Sequence, residues 1–414
     1  VYDHHTLEPI LSRTLGVPLF QEQLLRMAMA VAGFSGGEAE ELRRAMGFKR
    51  SVARMGKIEQ RLRDGMARNG IHGAVADRIV RSITSFALYG FPESHAASFA
   101  LIAYASAYLK CHHPAPFLAA MLNCYPLGFY HPATLVKDTH RHGVAVMPID
   151  VACSDWKCTV ETAPAGSATS QSLGVRMGLK YVGGLREETG LRTERERAAA
   201  PFRSIADFSA RVAPNKRELA ALAYAGAFAR FGMTRREALW QAAAVERDPD
   251  SLLAGAEPSA DRPGAGEPAK APELPGMTPL EETLADYSAT GFTAGPHVMS
   301  HLRQRLAAEG ILSAAELAHA RNGSWTKAAG VVIVRQRPGT AKGLLFLTLE
   351  DETGIANAIV TPEHFHANRA LLHRAQILIV EGPLQKQDGV IHVLGRRFTE
   401  LKLSGPVPRS HDFH

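Results

Sequence analysis

The chain has 414 residues, a net charge of +6, 46% hydrophobic and 21% charged residues, a composition ordinary for a globular protein with room for roughly two to four domains. No apolar run reaches the roughly 20 residues of a membrane span, and four cysteines in so long a chain make no disulfide framework. A positive balance admits an acidic partner without requiring one. Cys153 and Cys158 lack the second Cys or His pair that a zinc site needs, and the histidines are scattered. The first residue is Val, so the chain is read as starting inside a longer gene product, and the cysteines as reduced in the cytoplasm.

In chain order, residues 1–20 are an irregular lead-in with a turn at Gly16. Apolar residues at 24, 25, 28 and 31 predict a helix over Gln21–Ala32 with one buried face. Gly33-Phe34-Ser35-Gly36-Gly37 breaks it, and Glu38 opens the next. Between Glu41 and Asp64 stand eight basic residues (Arg43, Arg44, Lys49, Arg50, Arg54, Lys57, Arg61, Arg63) against three acids. Adjacent Arg43 and Arg44 point about 100° apart on a helix, so they do not share one stripe. With Lys49 and Arg50 they suit a triphosphate or a template backbone, because the planar guanidinium fork grips phosphate oxygens in pairs. The plainer reading is a solvated basic face. Lys57–Gly70 and Ala74–Phe86 are two further amphipathic helices.

The chain is organised around residues 82–123. Tyr89-Gly90-Phe91-Pro92-Glu93-Ser94 is a loop, and Pro92 marks its end; Ser94 reads as an N-cap and His95 opens a helix running through Ala96–Lys110. Pro114 and Pro116 stop it, and Phe117–Leu122 restarts one. A helix N-terminus with a hydroxyl, an imidazole and free amides attracts phosphate, and flanking rings suit a base. A merely capped helix is the plain alternative.

These residues, YGFPESHAASFALIAYASAYLKCHHP, resemble the fingers signature of bacterial C-family DNA polymerases, the polymerase III alpha type. In detail they resemble the error-prone branch used in damage-induced mutagenesis. LRRAMGFKR resembles the family's element beside the incoming nucleotide, which implies phosphate contacts for Arg43 and Arg44, and less firmly for Lys49 and Arg50; Phe48 stands where relatives carry Lys. The same resemblance implies that Tyr89, Gly90 and Phe91 line the pocket for the nascent base pair, with Ser94 and His95 near the triphosphate or the bases.

Further on, Met121–Tyr130, Leu135–Asp138 and Arg141–Val144 again resemble the error-prone branch. Val144–Ile149 predicts a short strand. Asp150 and Asp155 are not read as a metal pair, since nothing else converges on them. After a small-residue linker at Ala163–Gln171, Val175–Val182 with Gly183-Gly184 and Leu219–Ala225 with Gly226 resemble tandem helix-hairpin-helix motifs, in which hairpin amides hold phosphate without reading sequence. Gly183, Gly184 and Gly226 are where backbone approaches closest, and Lys180, Lys216, Arg217, Arg230, Arg235 and Arg236 are basic neighbours. A proline-rich acidic linker follows, then helices over Pro279–Tyr287 and His297–Glu309. From Trp325 the pattern turns to strands: Ala328–Val334, Leu344–Glu350, Ile355–Val360, Ile377–Glu381 and Val390–Leu394, with a helix near His364–Leu372 and a hairpin at Lys386–Gly389. Five strands with a helix after the third match an OB-fold barrel, with Arg335, Arg337, Lys342, Phe346 and His392 as candidates for a single-strand groove.

The expected fold is therefore multidomain and mainly α, with fingers and tandem helix-hairpin-helix motifs, closed by an all-β OB barrel. The expected segments are 1–125 fingers, 126–162 connector, 163–246 duplex-binding hairpins, 247–277 flexible linker, 278–322 helical connector, 323–402 OB-fold and 403–414 tail. The resemblance implies the C-terminal part of a DNA-directed DNA polymerase for error-prone translesion synthesis, adding deoxynucleotides to a primer 3′-hydroxyl by two-metal phosphoryl transfer. The Mg2+ carboxylates belong to a palm upstream; the acids at 150, 155 and 351–352 stand in the wrong contexts, so the fragment alone is expected to be inactive. Implied partners are primer–template DNA, the dNTP, and, indirectly, the sliding clamp through an inactive polymerase homologue. The alternatives are a replicative alpha-subunit fragment and a non-catalytic DNA-binding scaffold.

Overall fold

The structure is a computed structural model that describes residues 2–46, 52–86, 91–126, 130–164, 172–245, 274–403, 405, 407 and 410–413. Lys49, Arg50, Tyr89 and Gly90, most of the proline-rich linker and most of the small-residue linker lie outside the described residues. The chain forms two compact units, Val1–Cys111 and His112–His414.

The first unit holds five main helices: α1 (Gln21–Ala32), α2 (Gly36–Met46), α3 (Val52–Arg68), α4 (Gly73–Phe86) and α5 (Glu93–His112). The helix expected over 21–32 has those bounds. Its Leu24, Met27, Ala28 and Val31 are buried against Leu42 of α2, Ile58, Leu62 and Met66 of α3, and Ile79 and Ile83 of α4. Helices α1 and α3 touch backbone to backbone, because Gly65 leaves no Cβ to strike the Ala32 carbonyl. Helix α5 departs from this pattern. None of its residues is buried, and Phe99, Leu101, Ile102, Tyr104, Tyr108 and Leu109 are exposed.

The second unit begins with α6 (Pro114–Asn123) and α7 (Pro132–Arg141), which cover a small sheet of β1 (Val146–Met147), β2 (Thr159–Thr162) and β3 (Leu173–Arg176). Strand β3 lies between the other two, parallel to β1 and antiparallel to β2. Four helices follow: α8 (Glu187–Ala199), α9 (Ile205–Val212), α10 (Lys216–Tyr224) and α11 (Arg235–Ala244). The helix expected over Val175–Val182 is absent. Val175 and Met177 instead donate to the carbonyls of Ala145 and Met147, and only Leu179–Tyr181 makes a single 3-10 turn. Gly178 follows at a tight crossing: its position against the Trp156–Cys158 backbone leaves no room for a Cβ.

Next come α12 (Pro279–Thr290), with Thr278 and Glu281 closing a capping box, and α13 (Arg303–Ala308). The helix expected over His297–Glu309 is shorter, since Val298–Leu302 is 3-10. The barrel consists of β4 (Trp325–Gln336), β5 (Leu345–Glu350), β6 (Ile355–Val360), α14 (Pro362–Ala367), α15 (Arg369–Arg374), β7 (Ile377–Gln387) and β8 (Val390–Gly395). Strand β4 pairs with both β5 and β7, which closes the sheet on itself. Two added strands, β9 (Arg397–Glu400) and β10 (His411–Phe413), extend it beyond the five expected. The expected hairpin turn is Asp388-Gly389, both at positive φ (50° and 80°), as a two-residue connection requires. Inside this unit α7 meets the barrel: Arg141 pairs with the buried Glu350 at 3.0 Å, and Lys137 Nζ donates to the Gly295 carbonyl.

Candidate functional site

Arg43 and Arg44 lie in the last turn of α2, and both guanidiniums close on Glu40. Arg43 grips it with Nε and Nη2, each at 2.7 Å, and Arg44 Nε reaches it at 3.2 Å. Glu40 is three residues before one arginine and four before the other, so a side chain between the two directions draws both together. The sequence expectation that the pair cannot share a stripe is thus corrected at the level of the charged tips. Hydrogen bonding by Arg43 is the main reason the Glu40 carboxyl is lowered to about 2. Both arginines stay exposed.

The start of α5 is fixed by α1. Gln21 N–H donates to the Phe91 carbonyl at 3.1 Å, Glu93 N–H donates to Glu22 Oε2 at 2.9 Å, and Arg13 pairs with Glu93 at 3.1 Å. The helix therefore opens at Glu93, one residue before the predicted capping position, because Glu22 supplies the cap from a neighbouring helix. Ser94 sits within the first turn. Among the described residues, the amides of Ser94 and His95 have no acceptor. Along one face, Phe91 meets His95 with ring centroids 4.8 Å apart, and His95 meets Phe99 at 4.4 Å. Beside this ladder, Pro92, Ser94, His95 and Ser98 line an open hollow of about 530 Å3. The structure thus gathers Phe91, Ser94 and His95. No hydrogen bond, ion pair or ring contact joins them to Arg43 or Arg44 among the described residues.

At the two hairpins, most of the candidate groups are engaged within the chain. Gly183 N–H donates to the Ala289 carbonyl at 2.8 Å and Gly226 N–H to Ala223 at 3.0 Å. Gly184, at φ 84°, makes no backbone hydrogen bond among the described residues. Lys180 Nζ donates to Asn123 O at 3.1 Å, closing the end of α6. Arg235 pairs with Asp286, Arg236 with Glu281 at 3.6 Å and Arg230 with Asp150 at 3.6 Å. Lys216 and Arg217, at the start of α10, are exposed and make no ion pair among the described residues. The hairpins are joined by Glu218. Its carboxylate is fully buried and accepts from Arg186 N–H, Arg186 Nε and Nη2, Thr189 Oγ1 and Asn215 N–H at 2.9–3.1 Å.

In the barrel, Leu345, Leu347 and Leu349 of β5 face the core while Phe346 and Thr348 face out. Phe346 is opposite Ile359 of β6, and Asn357 is opposite His392 of β8. Phe346 and His392 therefore share the outer surface expected of a strand groove. Arg335 does not join them. It is 7% exposed and turned inward, with Nε on Leu372 O at 2.7 Å and further bonds to Ala375 O and Ser410 Oγ. Arg337 lies over the Phe365 ring at 4.5 Å, and Lys342 is exposed at φ 51° in the β4–β5 loop.

The acids Asp150, Asp155, Asp351 and Glu352 are each engaged by partners within the chain. Asp150 binds Ala152 N–H and Arg230, Asp155 binds Arg197, and Asp351 and Glu352 together clamp Arg303. Among the described residues no cluster of three or more His, Cys, Asp or Glu converges on a point. One Asp-x-Asp spacing that the sequence reading passed over, Asp248-Pro249-Asp250, lies outside the described residues.

Three family models match: the bacterial DNA polymerase III alpha subunit finger domain over residues 1–70, a helix-hairpin-helix motif over 143–238, and an OB-fold nucleic acid binding domain over 327–401. The chain is 46% identical over 98% of its length to an error-prone DNA polymerase of Azoarcus sp. strain BH72. It is 43% identical over its full length to that of Burkholderia pseudomallei, and 44% to that of Mycolicibacterium paratuberculosis. The chain belongs to the error-prone DNA polymerase family. It spans 36–38% of the length of these relatives.

As an error-prone polymerase segment, the chain carries features that the sequence reading missed. Phe99 completes the ring ladder, and the i, i+4, i+8 spacing of Phe91, His95 and Phe99 was the available signal. Ser98 lines the hollow, and Glu40 holds both arginines. Glu22 caps α5 from α1, a tertiary contact that no local spacing announces. No helix among the described residues is long and apolar enough to cross a membrane.

Proposed function

We propose that this chain is the C-terminal part of a DNA-directed polymerase for error-prone translesion synthesis. The observation that carries the proposal is that its fingers, hairpins and barrel all align, in one register of 43–46% identity, with proteins named error-prone DNA polymerase. In the complete protein, Mg2+ bound by carboxylates outside this chain supplies charge neutralisation for phosphoryl transfer. This chain's residues bind and orient. Arg43 and Arg44 exchange Glu40 for triphosphate oxygens, and Lys49 and Arg50 serve the same phosphates. The amides of Ser94 and His95 donate to phosphate at the α5 N-terminus, and Tyr89, Gly90, Phe91, His95 and Phe99 bear on the nascent base pair. Lys216, Arg217 and the Gly184 amide hold duplex phosphates, and Phe346 and His392 stack or contact a single strand. The partners are primer–template DNA, the dNTP, and the sliding clamp reached through an inactive homologue.

Primer extension tests this, run with the 414-residue chain and with the longer protein that includes the rest of the relatives' length. Extension by the longer form alone supports the reading. Metal-dependent incorporation by the 414-residue chain refutes the assignment of the carboxylates. Extension by neither, with duplex binding retained, favours a DNA-binding scaffold.

A further inference from the structure

The barrel has a second polar feature, away from the outer face of β5 and β6. A cavity of about 310 Å3 opens between the end of β4, the start of β5 and α15, lined by Arg335, Arg337, Phe365, Arg369, Leu372 and His373. Three guanidiniums and an imidazole share it. Arg335 supplies a fixed, buried charge, held by carbonyls of α15 and its following turn and offset on one side by Asp412 at 3.4 Å. Arg337 is oriented by stacking on Phe365, itself 2% exposed and braced edge-on by His373 at 5.5 Å. Neither Arg337 nor Arg369 has a carboxylate partner among the described residues. That sets them apart from Arg303, Arg141 and Arg235, which all close on acids.

Like charges gathered at one cavity repel unless an anion joins them. The volume lies at the small end of ligand sites, and paired guanidiniums select phosphate oxygens. Register places the cavity on the core side of β4: Gln336 shares the outer face with Phe346, whereas Arg335, opposite Leu347, and Arg337 lie on the other side, at the end of the barrel beneath α15. The geometry points to a phosphate site at the end of the barrel, taking one backbone phosphate of a single DNA strand. This rests on the reading of the barrel as a single-strand binder.

The test is binding of a fluorescent oligodeoxythymidylate to the 414-residue chain, titrated at about 50 and 200 mM salt. Each lost single-strand phosphate contact lowers the salt slope by about 0.7, so Arg337→Gln with Arg369→Gln lowers it by about 1.4. Over that fourfold salt range the wild-type advantage then shrinks about sevenfold. Arg369→Glu alone, at an exposed helix position, gives the same direction without touching Phe365. An unchanged slope in both variants, with binding weakened by Phe346→Ala, overturns the phosphate site and leaves the strand groove standing. Loss of affinity from none of the three variants overturns both. Inorganic pyrophosphate protected by Arg337 and Arg369 while the oligonucleotide slope is unchanged marks a free-anion site and also refutes the proposal.

Discussion

Replacing Glu218 should uncouple the two hairpins. Its buried carboxylate accepts five hydrogen bonds, from the segment opening α8 and from the cap of α10. In Glu218→Ala the Arg186 side chain, 60% exposed, returns to water at little cost. The Thr189 hydroxyl, in a residue 4% exposed, and the Arg186 amide are stranded. Two unpaired donors at about 1–3 kcal/mol each, and about 1 kcal/mol for the capping box, sum to roughly 3–7 kcal/mol. In a unit of this size that lowers the melting temperature by roughly 6–14 °C. Trp156 is the local probe, because its ring packs on Gly190 of α8 and its backbone N–H donates to Glu194 Oε1.

Burial alone pushes the Glu218 carboxyl up, but hydrogen bonds from Arg186, Asn215 and Thr189 outweigh it and hold it at about 2. A depressed folded value stabilises above the unfolded value and is lost as pH falls through the folded one. The gap between wild type and Glu218→Gln should therefore be full above about pH 5 and close toward pH 2. Melting of Glu218→Ala within about 2 °C of wild type, or a gap that widens in acid, would refute this account.

Four further outcomes are expected. Glu40→Gln frees Arg43 and Arg44, so fluorescent dNTP binding to the complete protein tightens; unchanged affinity would leave Glu40 as a surface partner only. Phe99→Ala in the complete protein weakens nucleotide binding by about 1–3 kcal/mol if the ring bears on a base, read as a rise in the dNTP KM. Gly190→Ala drives a Cβ into the Trp156 ring and destabilises by about 1–3 kcal/mol, measured by thermal melting. Burial raises the Glu350 carboxyl to about 7 against the pull of Arg141. Its stabilising share is thus present below the ordinary value of 4.5 and lost as pH rises through about 7, and Glu350→Gln should flatten that fall in melting temperature. Lys137, lowered to about 8 chiefly by burial, titrates above that window.

The elements were legible where one period dominated. Residues 24, 28 and 31 announced the buried face of α1, and Asp388-Gly389 announced a hairpin that only positive φ permits. The error over Val175–Val182 has a tertiary cause, since main-chain donors there are claimed by Ala145 and Met147, far back in sequence. The sites were legible as residue types but not as states. Lys180, Arg230, Arg235 and Arg236 read as phosphate ligands because their partners, the carbonyl of Asn123 and the acids Asp150, Asp286 and Glu281, are remote in the chain. Arg335 read as a groove residue because strand alternation fails beside the bulge between Val332 and Val334.

That distinction bears on how the chain meets DNA. If all six basic neighbours of the hairpins faced phosphate, duplex affinity would fall by about three orders of magnitude between roughly 50 and 200 mM salt. With only Lys216 and Arg217 free, two contacts give a slope of about −1.8 and a fall of about twelvefold. Backbone amides such as that of Gly184 add contact without releasing counterions in proportion. The hairpins then act as a shallow, sequence-indifferent hold. On the proposed reading, a steeper measured slope would therefore assign the remaining phosphate contacts to residues outside the hairpins. A helix apolar on all sides is stable only when enclosed, and the ring ladder that opens α5 lies at the edge of that unenclosed surface.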